Sequence, residues 1–219
     1  MSTEAALSEA DREEKRLSEF ILKGESDQSA HSARQLLQLR KDANDVVDAI
    51  SDTMNIVADL HEVERYSMER VESCERAAER ALETIRPDIR VEQRRISGRV
   101  MVTSLQGDPH SFDKTILLTM LEIGGFTPLD GGGDLTAEEA MVKVSELKPD
   151  VLAVPLVTPA AAKILMETTS LIKSGKSGLL VVAYGRGAKT LPSQAGLEAI
   201  EDDSLAALSK IAELLIAKP

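Results

Sequence analysis

The sequence is poor in aromatic residues, with no Trp, two Tyr and three Phe among its 219 residues. Proteins that bind single-stranded nucleic acid stack the bases on aromatic side chains, and this chain has few of them. The formal net charge of −11 at pH 7 also opposes contact with a phosphate backbone. We therefore expect no direct binding to nucleic acid.

Cysteine is also scarce, since Cys74 is the single one in the chain and no internal disulfide can form. This fits a reducing compartment, and we interpret Cys74 as structural because no second metal ligand lies near it in the sequence. The N-terminus lacks the apolar core of a signal peptide. No apolar run approaches the roughly 20 residues of a membrane span. We expect a cytoplasmic protein that makes no membrane contact.

Glycine and proline are nearly absent from the first part of the chain, where only Gly24 and Pro87 occur before residue 95. Apolar residues recur there at steps of three and four, which is the periodicity of a helix. We predict a bundle of about four antiparallel helices over residues 1–90. Gly24 would end one helix, Ser26 or Asp27 would cap the next, and Pro87 would end the last.

From residue 96 the pattern changes to short apolar runs that alternate with helical segments. The strands are read in the runs RVMVTSL, FTPLDGGG, DVLAVPLV and GLLVVAYG, with a fifth strand or a turn in GLEAI. Thr136 is the expected N-cap of one intervening helix. This alternation predicts an α/β doubly wound (flavodoxin-like) parallel sheet over residues 96–219, with residues 88–96 as an exposed linker.

The carboxyl ends of parallel strands lie at one edge of a sheet, where such domains bind ligands. Four loops follow the predicted strands there, with the sequences GDPHSFD, DGGGD, PLVTP and AYGRGA. The first of them contains Asp108 and His110, a carboxylate and an imidazole separated by one residue. His110 is either an ordinary loop residue or a metal ligand. The loop after the first strand is the candidate site because of its place at this edge of the sheet.

The chain resembles the cobalamin-binding corrinoid proteins and the cobalamin-binding domain of methionine synthases. That family's first loop reads Asp-x-His-x-x-Gly, and here Asp108-Pro109-His110-Ser111-Phe112-Asp113 stands in its place. The order of a helical bundle followed by a sheet domain is also similar, so that the resemblance covers nearly the whole chain. It implies a corrinoid (cobalamin) as cofactor.

The resemblance also implies roles for individual residues. His110 would be the lower ligand of cobalt in place of the cofactor's own base, and Asp108 would hydrogen-bond the other ring nitrogen. The displaced base would pass into the domain beside the first strand. Further cofactor contacts would come from the first loop, the third-strand loop and the fourth-strand loop, namely Gly107, Pro109, Ser111, Thr158, Gly185 and Gly187.

Several positions depart from the family pattern. Asp113 replaces a glycine, and it is either a helix cap or an obstacle to the nucleotide tail. Pro155 stands near the family's serine on the third-strand loop, and Ala160 stands where methionine synthases place a serine that extends the His–Asp pair. Arg186 lies between the two glycines of the fourth loop, where it would either clamp a phosphate or be solvated.

Two other histidines lie in the helical half. Aligned with the family, His61 takes the place of a large aromatic residue over the corrin, from which it could approach the cobalt from above. Alternatively, it is a partly exposed helical residue beside Glu62 and Glu64. His31 lies in a polar helical stretch and needs no functional explanation.

The resemblance predicts a carrier that shuttles a methyl group between partner methyltransferases, and at most the corrinoid subunit of an enzyme system. Residues 87–96 would be the hinge on which the bundle moves. The alternatives are a cobalamin-dependent sensor or antirepressor with a regulatory protein partner, and a cobalamin-free scaffold with the same fold. A homodimer is compatible with each of these.

Overall fold

The computed structural model separates the chain into two compact units, Met1–Arg90 and Val91–Pro219. It describes residues 8–91, 98–110, 112–175, 178–193 and 196–217. Among these residues, none of the helices has the length and apolarity to cross a lipid bilayer. The predicted linker and hinge extend into residues 92–97, which lie outside the described part.

Over residues 8–90 the first unit contains four α-helices, as the periodicity predicts, and a short 3₁₀ turn. The helices are α1 (Glu9–Lys23), α2 (Ser26–Gln38), α3 (Ala43–Glu62) and α4 (Met68–Ile85), followed by the turn Arg86–Asp88. Their buried faces repeat every three or four residues and form an aliphatic core that includes Leu17, Ile21, Leu36, Ile50 and Leu82. Each helix therefore buries one stripe of its surface against the others.

The helix ends of this unit agree in part with prediction. Gly24 ends α1 in the left-handed conformation, with φ of 71°, and α4 ends just before Pro87. The predicted cap of α2 is wrong, because Glu25 holds the N-cap position and makes no side-chain cap bond. The turn at Gly24 is so tight that the backbone N–H of Glu25 still bonds to Phe20, and the next helix already begins at Ser26.

The second unit is a parallel sheet with helices between its strands. The strands are β1 (Arg99–Val102), β2 (Thr127–Asp130), β3 (Val151–Pro155), β4 (Leu180–Tyr184) and β5 (Leu197–Ile200). The helices are α5 (Phe112–Ile123), α6 (Ala137–Leu147), α7 (Pro159–Ser174) and α8 (Ser204–Ala217), with a 3₁₀ helix at Arg186–Thr190. The sequence GLEAI thus contains a strand, and Thr136 caps α6 in a capping box with Glu139.

The strand order is β2-β1-β3-β4-β5 and every pairing is parallel. This confirms the predicted doubly wound fold. Strand β3 is central and buried along its whole length. Side chains of β3 and β4 pack with those of α6 and α7 in one core, whereas Tyr184 on β4 points to α5 and α8, where its hydroxyl donates to the carbonyl of Asp113. The sheet is therefore covered on both faces, and its polar loops lie at one edge.

Asp113 does not cap α5, contrary to one of its two predicted roles. The helix begins at Phe112, so that Asp113 lies inside the first turn. A carboxylate in the first turn still stabilises a helix, because the amino end carries a partial positive charge. The Asp113 carbonyl accepts hydrogen bonds from Tyr184 and, at 3.4 Å, from Ser204, which ties the start of α5 to the sheet and to α8.

Candidate functional site

The loop after β1 is held by the loops after its neighbouring strands. Leu105 forms an isolated bridge to Leu135, and the backbone N–H of Gly107 donates to the Asp134 carboxylate at 3.3 Å. On the other side, the Thr158 hydroxyl donates to the Gly107 carbonyl at 2.9 Å. The loop is thereby fixed between the second and third loops at the carboxyl edge of the sheet.

Asp108 is the centre of the hydrogen bonding in this loop. One carboxylate oxygen accepts from the backbone N–H groups of Val157 at 2.7 Å and Thr158 at 3.2 Å. The other accepts from the backbone N–H of His110 at 3.2 Å and contacts its ring Nδ1 at 3.0 Å. Ala160 has no hydroxyl in place of the serine that methionine synthases have there. The Asp108 oxygen that faces away from His110 accepts from backbone amides of the third loop instead.

These bonds decide the charge of Asp108, which is 2% exposed at its side chain. Burial raises the pKa of the carboxyl, but the hydrogen bonds from the His110 ring and from the backbone of Val157, Thr158 and His110 lower it by more. The net pKa therefore lies below its ordinary value. Asp108 is an anion that accepts every one of these bonds.

His110 lies between Asp108 and Arg186, with its side chain 1% exposed. Its Nε2 is 3.1 Å from the Nη2 of Arg186. A guanidinium can only donate and an ionised carboxylate can only accept. The ring must therefore be neutral, with its proton on Nδ1 toward Asp108 and its lone pair on Nε2 toward Arg186.

Arg186 was expected either to clamp a phosphate or to be solvated, and no residue of the protein was predicted as its partner. The structure places the residue in an exposed position, with its guanidinium against His110. Arg186 follows β4 and His110 follows β1, so that 76 residues separate them in the chain. Their meeting at one sheet edge was implied by the parallel topology, and that was the signal that could have paired them.

The two glycines beside Arg186 have structural reasons of their own. A Cβ on Gly187 would lie 2.8 Å from the carbonyl oxygens of Leu156 and Val157, and Gly185 has φ of 103°. The backbone N–H of Gly187 donates to Leu156 at 2.8 Å. These glycines let the fourth loop approach the third loop, whose amides hold Asp108.

Thr158 also has a structural role, because its hydroxyl caps α7 by accepting from the backbone N–H of Ala161 at 3.2 Å. Of the other predicted contacts, Pro109 is half-buried, and Ser111 lies outside the described residues. The structure thus brings Gly107, Asp108, His110 and the loop of Thr158 together. Whether Gly107, Pro109, Thr158, Gly185 and Gly187 contact a cofactor stays a prediction.

His61 is half-buried near the end of α3 in the helical unit. Its Nδ1 is 2.9 Å from the backbone carbonyl of Tyr66. Since a carbonyl only accepts, Nδ1 carries a proton, and in the neutral ring the lone pair is on Nε2. A backbone bond of this kind orients a histidine for metal ligation, and it equally stabilises the turn between α3 and α4.

The donor set at His110 fits a metal ion that prefers nitrogen. A buried neutral imidazole whose Nδ1–H is held by a carboxylate is a common arrangement for a metal-ligating histidine. The lone pair on Nε2 is the atom that would bind. Asp108 is itself saturated by hydrogen bonds, so that it orients His110 rather than serving as a second ligand.

Comparison with known proteins gives matches in sequence and in structure. Trimethylamine corrinoid protein 2 of Methanosarcina acetivorans is 30% identical over 102 residues, which are 46% of this chain and 47% of that protein. Its namesake in Methanosarcina mazei is 38% identical over 79 residues, or 35% of this chain and 36% of that one. The chain is therefore similar to corrinoid proteins over part of its length. It matches less than half the length of these relatives.

The fold agrees with this relationship. The monomethylamine corrinoid protein of Methanosarcina barkeri superposes with a TM-score of 0.67 at 17% identity, over 90% of this chain and 96% of that chain. At that identity the likeness shows a shared fold. No protein-family model matches the chain. The resemblance that the first loop indicated is therefore confirmed by relatives and by the fold.

Proposed function

We propose that the chain is a corrinoid-binding carrier protein in which Nε2 of His110 is the lower ligand of cobalt. The observation that carries the proposal is the buried pair of His110 and Asp108, with Nδ1 and Oδ1 3.0 Å apart. The relatives in Methanosarcina are named corrinoid proteins, which supports a corrinoid over other cobalt or iron groups.

The chemistry would be divided between the cofactor and the chain. When bound, the corrinoid supplies a cobalt centre that can accept and donate a methyl group. His110 supplies one nitrogen ligand, and Asp108 keeps its ring oriented and its proton on Nδ1. Because Asp108 is fixed by backbone amides of the third loop, the ligand is positioned by the sheet edge and not by a flexible side chain.

The proposed partners are methyltransferase proteins, one that charges the carrier and one that discharges it. The names of the relatives associate them with trimethylamine, and a methylated amine is accordingly the first donor class to test.

A visible spectrum tests the corrinoid proposal. Hydroxocobalamin and methylcobalamin are titrated into the purified protein, and ligation by His110 should shift the bands relative to free cofactor. The His110→Ala variant should bind without the shift or not bind, and His31→Ala serves as the matched control that keeps it. An unshifted spectrum for the wild-type protein at high micromolar cofactor contradicts the proposal and favours a cofactor-free scaffold.

A second candidate is a cobalamin-dependent sensor, which the orientation of His61 suits about as well as it suits a carrier. Its Nδ1 bond to the Tyr66 carbonyl leaves Nε2 with a lone pair that could bind a metal. A sensor should change its oligomeric state with adenosylcobalamin in the dark and after illumination, as read by size-exclusion chromatography. A carrier should not, and it should instead accept a methyl group from a methyltransferase.

A further inference from the structure

Arg186 occupies the atom of His110 that a metal would need. Its Nη2 lies 3.1 Å from Nε2, while the opposite ring nitrogen is held by Asp108 at 3.0 Å. The imidazole has one lone pair, and a guanidinium and a metal ion cannot share it. The two therefore compete for the same atom.

The contact is a defined feature of the fold. Arg186 begins a 3₁₀ helix, Arg186–Thr190, whose Gly187 is packed against Leu156 and Val157 and donates to the Leu156 carbonyl. The same third loop holds Asp108 through Val157 and Thr158. The backbone positions on both sides of the ring are thus set by one loop, and Arg186 reaches the ring through its long side chain.

We propose that Arg186 is a displaceable latch on Nε2 of His110, which must leave before a metal can bind there. In the cofactor-free protein the hydrogen bond from Arg186 occupies the lone pair of Nε2. This bond must break before a metal binds, so it lowers the affinity of the site for the metal group. The inference rests on the proposed function for the identity of the metal group, but the competition at Nε2 can be measured without it.

The first experiment uses the protein without cofactor. Diethyl pyrocarbonate carbethoxylates the unprotonated nitrogen of a histidine, and mass spectrometry of the tryptic peptides reads His110 separately from His31 and His61. Arg186→Met retains much of the side-chain volume but removes the donor, so that His110 should react several-fold faster. Lys189→Met removes a positive charge from the same 3₁₀ helix, where Lys189 is 73% exposed, and should leave the rate unchanged.

The second experiment measures loading with diaquocobinamide, a corrinoid without the nucleotide tail and its phosphate. Any affinity that Arg186 gains from a phosphate is thereby removed. In Arg186→Met the metal no longer competes with a hydrogen bond from a charged group. Because such a bond is strong, diaquocobinamide should bind this variant roughly 10- to 100-fold more tightly than it binds the wild type. Arg186→Gln, which keeps a neutral donor, should fall between that variant and the wild type. The cobalt(II) electron paramagnetic resonance spectrum should show splitting by one nitrogen, which His110→Ala removes.

The outcomes separate the latch from the carrier function. Unchanged carbethoxylation of His110 in Arg186→Met overturns the latch, as does a corrinoid affinity that is equal to or weaker than that of the wild type. Faster carbethoxylation together with no corrinoid binding by any variant supports the latch and overturns the proposed carrier function. Faster carbethoxylation and tighter cobinamide binding support both.

Discussion

The two units of the chain each gather several distant donors onto a single acceptor, but the acceptors differ in kind. In the helical unit the acceptor is the backbone carbonyl of Leu22, which receives the Arg70 guanidinium at 2.7 Å, the Tyr66 hydroxyl at 3.2 Å and the Cys74 thiol at 3.5 Å. In the sheet unit it is the side chain of Asp108.

This difference separates a structural cluster from a candidate functional one. Leu22 lies in the last turn of α1, where carbonyls lack partners within the helix. Its donors therefore complete a helix end. Asp108 lies within a loop and is buried as an anion. Its hydrogen bond with Nδ1 orients the imidazole of His110. Any hydrogen-bond donor could satisfy the Leu22 carbonyl. The second cluster requires a carboxylate at position 108, because both of its oxygens accept hydrogen bonds there.

The largest expected effect comes from replacing one side chain in each cluster, Asp108 in the sheet unit and Arg70 in the helical unit. Asp108→Ala would remove the acceptor of the half-buried N–H groups of Val157 and Thr158 and of the buried backbone N–H and Nδ1–H of His110. Each unsatisfied buried donor costs about 1–3 kcal/mol, so the free energy of unfolding should fall by roughly 3 kcal/mol. Arg70→Met should cost about 1 kcal/mol, because the Leu22 carbonyl keeps two other donors.

Urea unfolding followed by far-ultraviolet circular dichroism measures both losses. Asp108→Asn is the informative companion, since it keeps the volume and one acceptor oxygen but places an NH₂ group against donors, and it should recover only part of the loss. Equal losses for Asp108→Ala and Arg70→Met would break the distinction between the two clusters.

The next largest effect tests whether the sheet-unit cluster depends on close approach of the third and fourth loops. In Gly187→Ala the new methyl would lie 2.8 Å from the carbonyl oxygens of Leu156 and Val157. Overpacking of this kind costs about 1–3 kcal/mol, and we expect about 2 kcal/mol together with a weaker His110 signal in corrinoid titrations. Gly178→Ala is the matched control, because a Cβ there meets nothing within 4 Å.

Much of the fold followed from pattern. Helical periodicity without breakers predicted α1 to α4, and apolar runs between helices predicted the parallel sheet, because burial on both faces demands such runs. The N-cap of α2 was mispredicted because Ser26 is favourable in isolation. The start of α2 is set by the tight turn at Gly24, in which Glu25 bonds back to Phe20. The cap propensity of a single residue does not include this turn.

The candidate site was predictable where its chemistry is local and was missed where it is not. Asp108 and His110 lie two residues apart, so that the motif places them together. The partners of Asp108 on the third loop are 49 and 50 residues away, and Arg186 is 76 residues from His110. Backbone amides have no sequence signature, and the guanidinium could be placed only once the strand order was known.

A smaller, pH-dependent effect should be specific to the sheet unit. Burial raises the pKa of Tyr184 well above its ordinary value, the charge of Asp113 adds to this, and the hydrogen bond with Ser204 opposes it. The folded protein therefore resists ionisation of Tyr184. Its stability is fully retained below the unfolded tyrosine pKa of about 10 and falls above it by up to 1.4 kcal/mol per pH unit.

Ultraviolet absorbance reads this ionisation directly, since the chain has two Tyr and no Trp. In Tyr66→Phe the tyrosinate absorption band reports Tyr184 alone. It should appear together with the loss of circular dichroism as pH rises. Tyrosinate formation while the fold is intact would show that Tyr184 is not sealed between β4, α5 and α8.

The smallest effect compares one local device that occurs in both units. Ser8 and Thr136 each form a capping box, with Asp11 and Glu139 as partners. The first turn of α6 contains the buried residues Ala137 and Ala140, so it cannot fray without losing core packing, whereas the first turn of α1 is largely exposed. Thr136→Ala should therefore cost about 1 kcal/mol and Ser8→Ala about 0.5 kcal/mol. Thr136→Ser keeps the hydroxyl and should be nearly neutral in the same urea experiment. A larger loss of unfolding free energy for Ser8→Ala than for Thr136→Ala would mean that burial of the first helical turn does not set the contribution of the cap to stability.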